Sequence, residues 1–386
     1  MARFLVAATL ARGADGGAAV ALVLLAVQST VPHAAAIGGL LAAGLMAPHA
    51  LGPWVARALD RARDGRRFLA GAFVGYGVAL AAAGVAFGHV PVPLVLACTV
   101  VAGACGPLLT GGLSSRVAGL CGPDQRAQRR GEGWDAVSYG LAGTLGPAAV
   151  AGLAAVTDVL TAVLTLAGAA VVAAVITLTL PADGGAADRP VAHVRTVLAL
   201  LVRHGPLRRV NYATLCAAFC LGALPVIAVV LAGHLSPDPD AGATLVAVFG
   251  AGTLAGSLVL TAFPLHGEAE KLSVGCVAIV GLAALLSAAS PTYALALAGF
   301  AAIGLANAPF VTATFAARSQ YAPPAARAQV FVTMSSLKVA AAATGTAVAG
   351  LLTTLGPRAL PAAFAAVVLL GSGVALADRR LSQRRR

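Results

Sequence analysis

Residues 58–67 read Ala58-Leu59-Asp60-Arg61-Ala62-Arg63-Asp64-Gly65-Arg66-Arg67, six charges in ten positions of a 386-residue chain that is 10% charged and 59% hydrophobic. On either side of this stretch the charge vanishes. No Asp, Glu, Lys or Arg occurs from Gly16 to Ala56 or from Phe68 to Ser115. One helical span of a bilayer needs about 20 apolar residues. Each run is therefore long enough for two spans and a turn, and the charged decapeptide reads as the loop between two hairpins.

The same pattern extends outward. Leu272 to Ala317 is a third charge-free run, and turn signals fall near the middle of all three, at Ser29-Thr30-Val31-Pro32-His33, Gly88-His89-Val90-Pro91 and Ser290-Pro291. With the single-span runs the expected helices are 4–28, 34–57, 68–88, 91–115, 134–156, 158–180, 210–232, 241–264, 271–289, 292–317, 329–354 and 359–377. A soluble chain would carry about 25% charged residues; this composition demands an all-α integral membrane protein. Arg3 before Phe4–Leu10 has the outline of a secretory signal, but the apolar pattern resumes after Arg12 and Asp15, so this segment is expected to be the first span.

Basic residues set the orientation. With the N-terminus in the cytoplasm, twenty-three of the 26 Lys and Arg fall in inside segments, among them Arg116, Arg318 and Arg327, and only Arg358 falls outside. Both termini are expected to be cytoplasmic by the positive-inside rule. The net charge of +12 then reflects topology and anionic headgroups, and no nucleic-acid partner is expected.

Internal repetition divides the chain. Arg126-Ala127-Gln128 recurs as Arg327-Ala328-Gln329, and Ala149-Val150-Ala151-Gly152-Leu153 recurs as Ala347-Val348-Ala349-Gly350-Leu351, about 200 residues apart. An even number of spans per copy makes the copies parallel repeats. The expected domains are a six-helix bundle over 1–180, a cytoplasmic linker over 181–209 containing Asp183-Gly184-Gly185 and Arg189-Pro190, a second bundle over 210–378, and a basic tail over 379–386.

The twelve-span plan, the inside linker and Gly52-Pro53-x3-Arg57-x2-Asp60-Arg61-x3-Gly65-Arg66-Arg67 together resemble the major facilitator superfamily of secondary transporters. That family carries Gly-x-x-x-Asp-Arg-x-Gly-Arg-Arg between its second and third helices. Here Ala56 stands in place of the first glycine, and two extra residues separate Asp60-Arg61 from Gly65-Arg66-Arg67. The resemblance implies two pseudo-symmetric bundles alternating access to a central cavity, in the plasma membrane, with a small-molecule substrate and the lipid bilayer as partners. It implies no cofactor beyond a proton gradient, no enzymatic activity, and a monomer. It also implies that Asp60 is a latch acid, with Arg116 at the inner end of the fourth helix as its expected partner. Lipid anchoring at about 1 kcal/mol per arginine accounts for Arg61, Arg63, Arg66 and Arg67 without a latch, but not for Asp60.

Ionisable residues at membrane depth are functional by default, because they cost several kcal/mol. Arg12 and Asp15 lie three apart in the first helix and share a face, so Asp15 is the expected proton carrier and Arg12 its tuner, or the two form a structural ion pair. Lys338 in helix eleven faces the cavity or snorkels to the surface. His49, Tyr139 and Asn307 are further candidates for the lining. Asn307-Ala308-Pro309 is expected to interrupt helix ten. Glu132 and Asp135 read as helix-start acids.

Helix five contains Gly143, Gly146, Pro147 and Gly152, similar to the glycine–proline pattern of antiporters in this superfamily, which favours export by proton antiport. Proton-coupled import of an acidic or zwitterionic metabolite and a non-transporting sensor on the same fold are the alternatives. No Gly-x4-Gly-Lys-Ser/Thr loop and no His-Glu-x-x-His motif is present, which argues against an ATP-driven pump and a zinc hydrolase.

Overall fold

The computed structural model describes residues 1–29, 31–122, 124–181, 193–238 and 241–384. Asp183-Gly184-Gly185 and Arg189-Pro190 of the expected linker lie outside the described residues. Within them, twelve helices are long and apolar enough to cross a membrane, and no strand is present. They are α1 (Ala2–Val27), α2 (Ile37–Arg61), α3 (Gly65–Ala86), α4 (Val92–Cys121), α5 (Gln125–Val156), α6 (Val159–Leu178), α7 (Gly205–Leu235), α8 (Ala241–Ala262), α9 (Ala269–Ala288), α10 (Tyr293–Tyr321), α11 (Pro324–Leu351) and α12 (Ala359–Ser382). Val78, Val229, Leu286 and Leu370 are 60 to 70% exposed on these helices, as a lipid-facing surface requires. The protein is an all-α, multi-pass membrane protein.

The described residues form two compact units. The first comprises Met1–Gly122, Leu141–Val194 and Pro324–Ser336; the second comprises Pro123–Gly140, Arg195–Pro323 and Leu337–Arg386. Helices α5 and α11 are each shared, one half to each unit.

In the first unit α6 packs against both α1 and α3. The reason is visible in α1: Phe4, Ala8, Ala11, Ala14, Ala18, Ala21 and Leu22 recur every three or four residues and are buried. Alanine at these positions lets backbones approach closely, and in lipid that close van der Waals packing replaces the hydrophobic effect as the cohesive force. In the second unit α10 packs against α8 and α9 around Phe300 and Ile303, while α12 covers α7 and α9 with Phe364 and Val368. One crossing recurs inside both units. A methyl group on Gly146 of α5 would strike the Gly13 carbonyl of α1, and one on Gly345 of α11 would strike the Phe219 carbonyl of α7.

Three elements differ from the sequence expectation. The charged decapeptide is mostly helix: α2 runs on to Arg61 and α3 begins at Gly65, so the loop is only three residues long. Helix α5 starts at Gln125, well before 134, because its polar first turns lack the hydropathy by which spans are recognised. Asp124 accepts from the Ala127 N–H at 2.8 Å as its cap, so Glu132 and Asp135 are not helix-start acids but buried residues two to three turns in. Helix α10 passes through Pro309 without a break, so Asn307-Ala308-Pro309 does not interrupt it. In a long apolar helix the single lost N–H is tolerated.

Candidate functional site

The first cluster is built by two irregular turns. Pro48 falls in a 3-10 turn, Ala47–Leu51, within α2, and Pro107 immediately precedes a π turn, Leu108–Gly112, within α4. Each proline lacks an N–H and disturbs the regular ladder. The first turn presents His49, whose ring lies against Gly106 of α4 where any side chain would collide with it. The second presents the Thr110 carbonyl. Opposite them, α1 supplies Arg12 and Asp15.

The contacts are specific. Arg12 donates to Thr110 O at 3.2 Å and to Ser114 Oγ at 2.9 Å. Asp15 Oδ2 stands 4.0 Å from His49 Nε2, while Asp15 Oδ1 and His49 Nδ1 are buried without a hydrogen-bond partner. Tyr76, fully buried, donates to the Ala14 carbonyl at 3.3 Å beside this pair. The structure thus brings Asp15 and His49 together, while the Arg12 contacts given above run to Thr110 and Ser114 of α4. The feature that reading by spacing missed is the imidazole facing Asp15, which depends on the turn at Pro48.

The second cluster surrounds the charged stretch. Asp60, on the last turn of α2, accepts from the Gln329 N–H at 3.3 Å, where α11 passes from its opening 3-10 turn into α-helix. This is a carboxylate at the positive end of a helix. Arg116 donates to the Pro181 carbonyl at 2.9 Å, and Arg66 to the Leu180 carbonyl at 2.8 Å, so both basic side chains secure the end of α6. Asp64 caps α3 through the Arg66 N–H at 2.9 Å, and the Arg66 guanidinium holds its carboxyl down to about 2. Gly65 is buried, Arg61 is exposed, and Arg67 is 82% exposed with its Nε 3.6 Å from Asp64.

The third cluster lies within the second unit. A cavity of about 280 Å³ is lined by Asn307, Phe310, Thr314, Phe315 and Arg318 of α10, Thr214 and Gly222 of α7, Phe249 of α8, and Lys338 and Ala342 of α11. Lys338 Nζ sits 5.4 Å from the Tyr139 ring centroid, and Tyr139 stacks at a tilt on Phe315 at 5.5 Å. A cation over an aromatic face gains about 0.5–2 kcal/mol. The structure therefore places Lys338 and Asn307 in the lining of one cavity, with Tyr139 against the lining residues Lys338 and Phe315.

Arg318 is the residue the sequence reading misplaced. Assigned to an inside segment, it lies within α10, is 3% exposed and lines this cavity. A signal was present: positions 307, 310, 314 and 318 recur at helical spacing and so share a face. At the charged end of the same unit, Arg209 joins Glu270 at 2.6 Å and Asp378 at 3.0 Å, tying α7 to α9 and α12.

Of the helix-five pattern, Gly146 makes the close crossing with α1, whereas Gly143 and Gly152 meet open space. Pro147 is carried inside the unbroken helix. Among the described residues no three His, Cys, Asp or Glu side chains are grouped to hold a metal ion.

These features define a class by fold: twelve membrane helices with ionisable groups buried inside them. The chain has the major facilitator superfamily fold. It is similar to the human organic anion transporter TETRAN at 17% identity, covering 97% of this chain and 99% of that one with a TM-score of 0.77. A bacterial homologue of the iron transporter ferroportin in an outward-facing state matches at 14% identity, 98% and 99% coverage and a TM-score of 0.76. FucP, a major facilitator superfamily transporter in the outward conformation, matches at 14% identity, 97% and 98% coverage and 0.72. No family model and no curated protein matches the sequence.

Proposed function

We propose that the protein is a secondary active transporter of the plasma membrane that exports a small organic molecule by proton antiport and alternating access. The observation that carries this reading is Asp15. It is a carboxylate inside a membrane-spanning helix with one oxygen lacking any hydrogen bond, and its other oxygen faces an imidazole. Charge at such a place costs several kcal/mol, and a bound proton removes that cost. A group whose burial energy depends on one proton is a means of coupling proton binding to a conformational change.

Asp60 serves as the latch in this scheme. Its contact with the Gln329 N–H ties α2 to α11 at the end that the arginines assign to the cytoplasm, and that tie has to break for the inside to open. The relatives by fold carry, by their names, an organic anion in one case and iron in another, so the fold leaves cargo open. Export is favoured by the resemblance of α5 to the antiporter pattern at Gly146-Pro147.

The test is flux in vesicles of both orientations with an imposed pH gradient. Export predicts substrate accumulation in everted vesicles that are acid inside, and loss of accumulation in the Asp15→Asn protein. Gradient-driven uptake only in right-side-out vesicles would make the protein an importer.

A further inference from the structure

One buried acid takes no part in the Asp15 scheme. Glu132, on α5 within the second unit, is 3% exposed, and its Oε2 is buried with no hydrogen-bond partner. The Ser319 hydroxyl of α10 hydrogen-bonds the carboxyl. Its cation is Arg129, one turn earlier on α5, whose Nη1 stops 3.9 Å from Oε2 and is itself buried without a hydrogen bond. In the same unit Arg209 and Glu270 close to 2.6 Å. The other arm of Arg129 is engaged elsewhere: Nη2 donates at 3.2 Å to the carbonyl of Gly267, in the turn between α8 and α9. The guanidinium is thus shared between a carboxylate and a main-chain oxygen. A cavity of about 150 Å³ reaches the carboxyl, lined by Gln125, Gln128, Arg129 and Glu132 along one face of α5 and by Ser319 and Gln320 of α10. Gln125 and Gln320 are exposed, so the cavity opens at the start of α5, about 10 Å of rise from Glu132. Polar walls around such a volume admit several water molecules. The described charged groups that act on Glu132 are Arg129 and Asp135, a second buried acid one turn further along α5. Asp135 in turn acts on Arg318 of α10, and α8 carries no ionisable residue. Carboxylates one turn apart repel each other, and an open oxygen on one of them can take up a proton.

We propose that Glu132 is a proton-binding site separate from Asp15, loaded from water in this cavity, and that its proton hands Arg129 over to the Gly267 carbonyl. The proton adds to Oε2, the carboxylate becomes a neutral acid, and the new O–H donates into the cavity. Arg129 then has one acceptor in place of two, and the contact between α5 and the α8–α9 turn tightens. Loss of the proton restores the carboxylate, which draws the guanidinium back and loosens the turn. A place for this site in a transport cycle rests on the transporter reading; the proton site itself does not.

The experiment records pH-difference infrared spectra of the full-length protein in lipid nanodiscs near neutral pH, where exposed carboxyls stay ionised. A protonated-carboxyl band is expected that persists in Asp15→Asn and Asp135→Asn, vanishes in Glu132→Gln and moves in Glu132→Asp. Hydrogen exchange is then followed in the α8–α9 turn, residues 263–268, after correction for the intrinsic pH dependence of exchange. Protection there should be at least about threefold higher at about pH 6 than at about pH 8 in wild type, high at both in Glu132→Gln, and low at both in Arg129→Gln. Melting curves identify any variant that fails to fold, and the band in Glu132→Asp with the wild-type exchange profile then decides. A band unchanged in Glu132→Gln, a band lost in Asp135→Asn instead, or turn protection in wild type that ignores pH overturns the proposal. The band and the protection without gradient-driven flux would remove the transporter reading and leave the proton site intact; flux without them would do the reverse.

Discussion

His49 Nε2 stands 4.0 Å from Asp15 Oδ2 across α1 and α2, and the outer atom of each group, Nδ1 and Oδ1, is buried without a partner. An open valence on a buried carboxylate can take up a proton, which a structural role does not require.

Stability separates the two roles. Asp15→Asn removes a buried charge whose cost in the membrane is several kcal/mol, so the melting temperature of the purified protein is expected to hold or rise. His49→Ala leaves the carboxylate without its imidazole neighbour and should destabilise by about 1–3 kcal/mol. The double variant should cost less than the sum of the two. A melting temperature lowered by several degrees in Asp15→Asn would mark the carboxylate as structural.

The glycines of α5 give an internal control. Gly146→Ala places a methyl group against the Gly13 carbonyl and is expected to cost about 1–3 kcal/mol by overpacking. Gly143→Ala meets open space, and the better helix former should be neutral or gain up to about 1 kcal/mol. Thermal melts of the two variants, run side by side, check the ordering.

Asp60→Asn keeps the shape of the contact to the Gln329 N–H and discards its charge. Turnover of any transported probe is expected to change several-fold while equilibrium affinity stays within about twofold, since the residue lines no cavity described here and a charge-assisted hydrogen bond is about twice as strong as a neutral one. Unaltered turnover with the variant folded would remove the latch.

Asp64 predicts a pH effect outside the membrane. Its carboxyl is lowered from 3.8 to about 2 by Arg66, so its contribution is fully present above pH 3.8 and is lost as pH falls through about 2. Asp64→Ala should therefore cost about 1 kcal/mol at neutral pH through loss of the α3 cap. The gap in melting temperature between wild type and variant should narrow only below about pH 4. Over the neutral range the cap does not titrate, so a pH profile of transport there reports other groups.

The sequence made the spans legible because a bilayer imposes its thickness on charge spacing. Gly16 to Ala56 and Phe68 to Ser115 can be little else than paired spans. What it concealed lay where helices leave that regime. Helix α5 begins at Gln125 in a polar stretch, which turned Glu132 and Asp135 from buried residues into apparent helix-start acids. Helix α10 continues to Tyr321, which put Arg318 in a loop on paper and in a cavity in the fold. Asp15 and Lys338 stood out as isolated charges in apolar runs. The partner of Asp60 could not: it is a backbone N–H of Gln329, and a main-chain donor carries no mark in the sequence.

The central claim is that a proton on Asp15 drives the movement of a small molecule. The most direct measurement reconstitutes wild type and Asp15→Asn in proteoliposomes holding a pH-sensitive dye, imposes a gradient of a transported, membrane-impermeant probe without a pH gradient, and follows internal pH. The account predicts substrate-driven proton movement opposite to the flow of the probe in wild type, and none in Asp15→Asn although the variant still binds the probe. Equal proton movement in both proteins, or substrate flux in wild type with no change of internal pH, would contradict it.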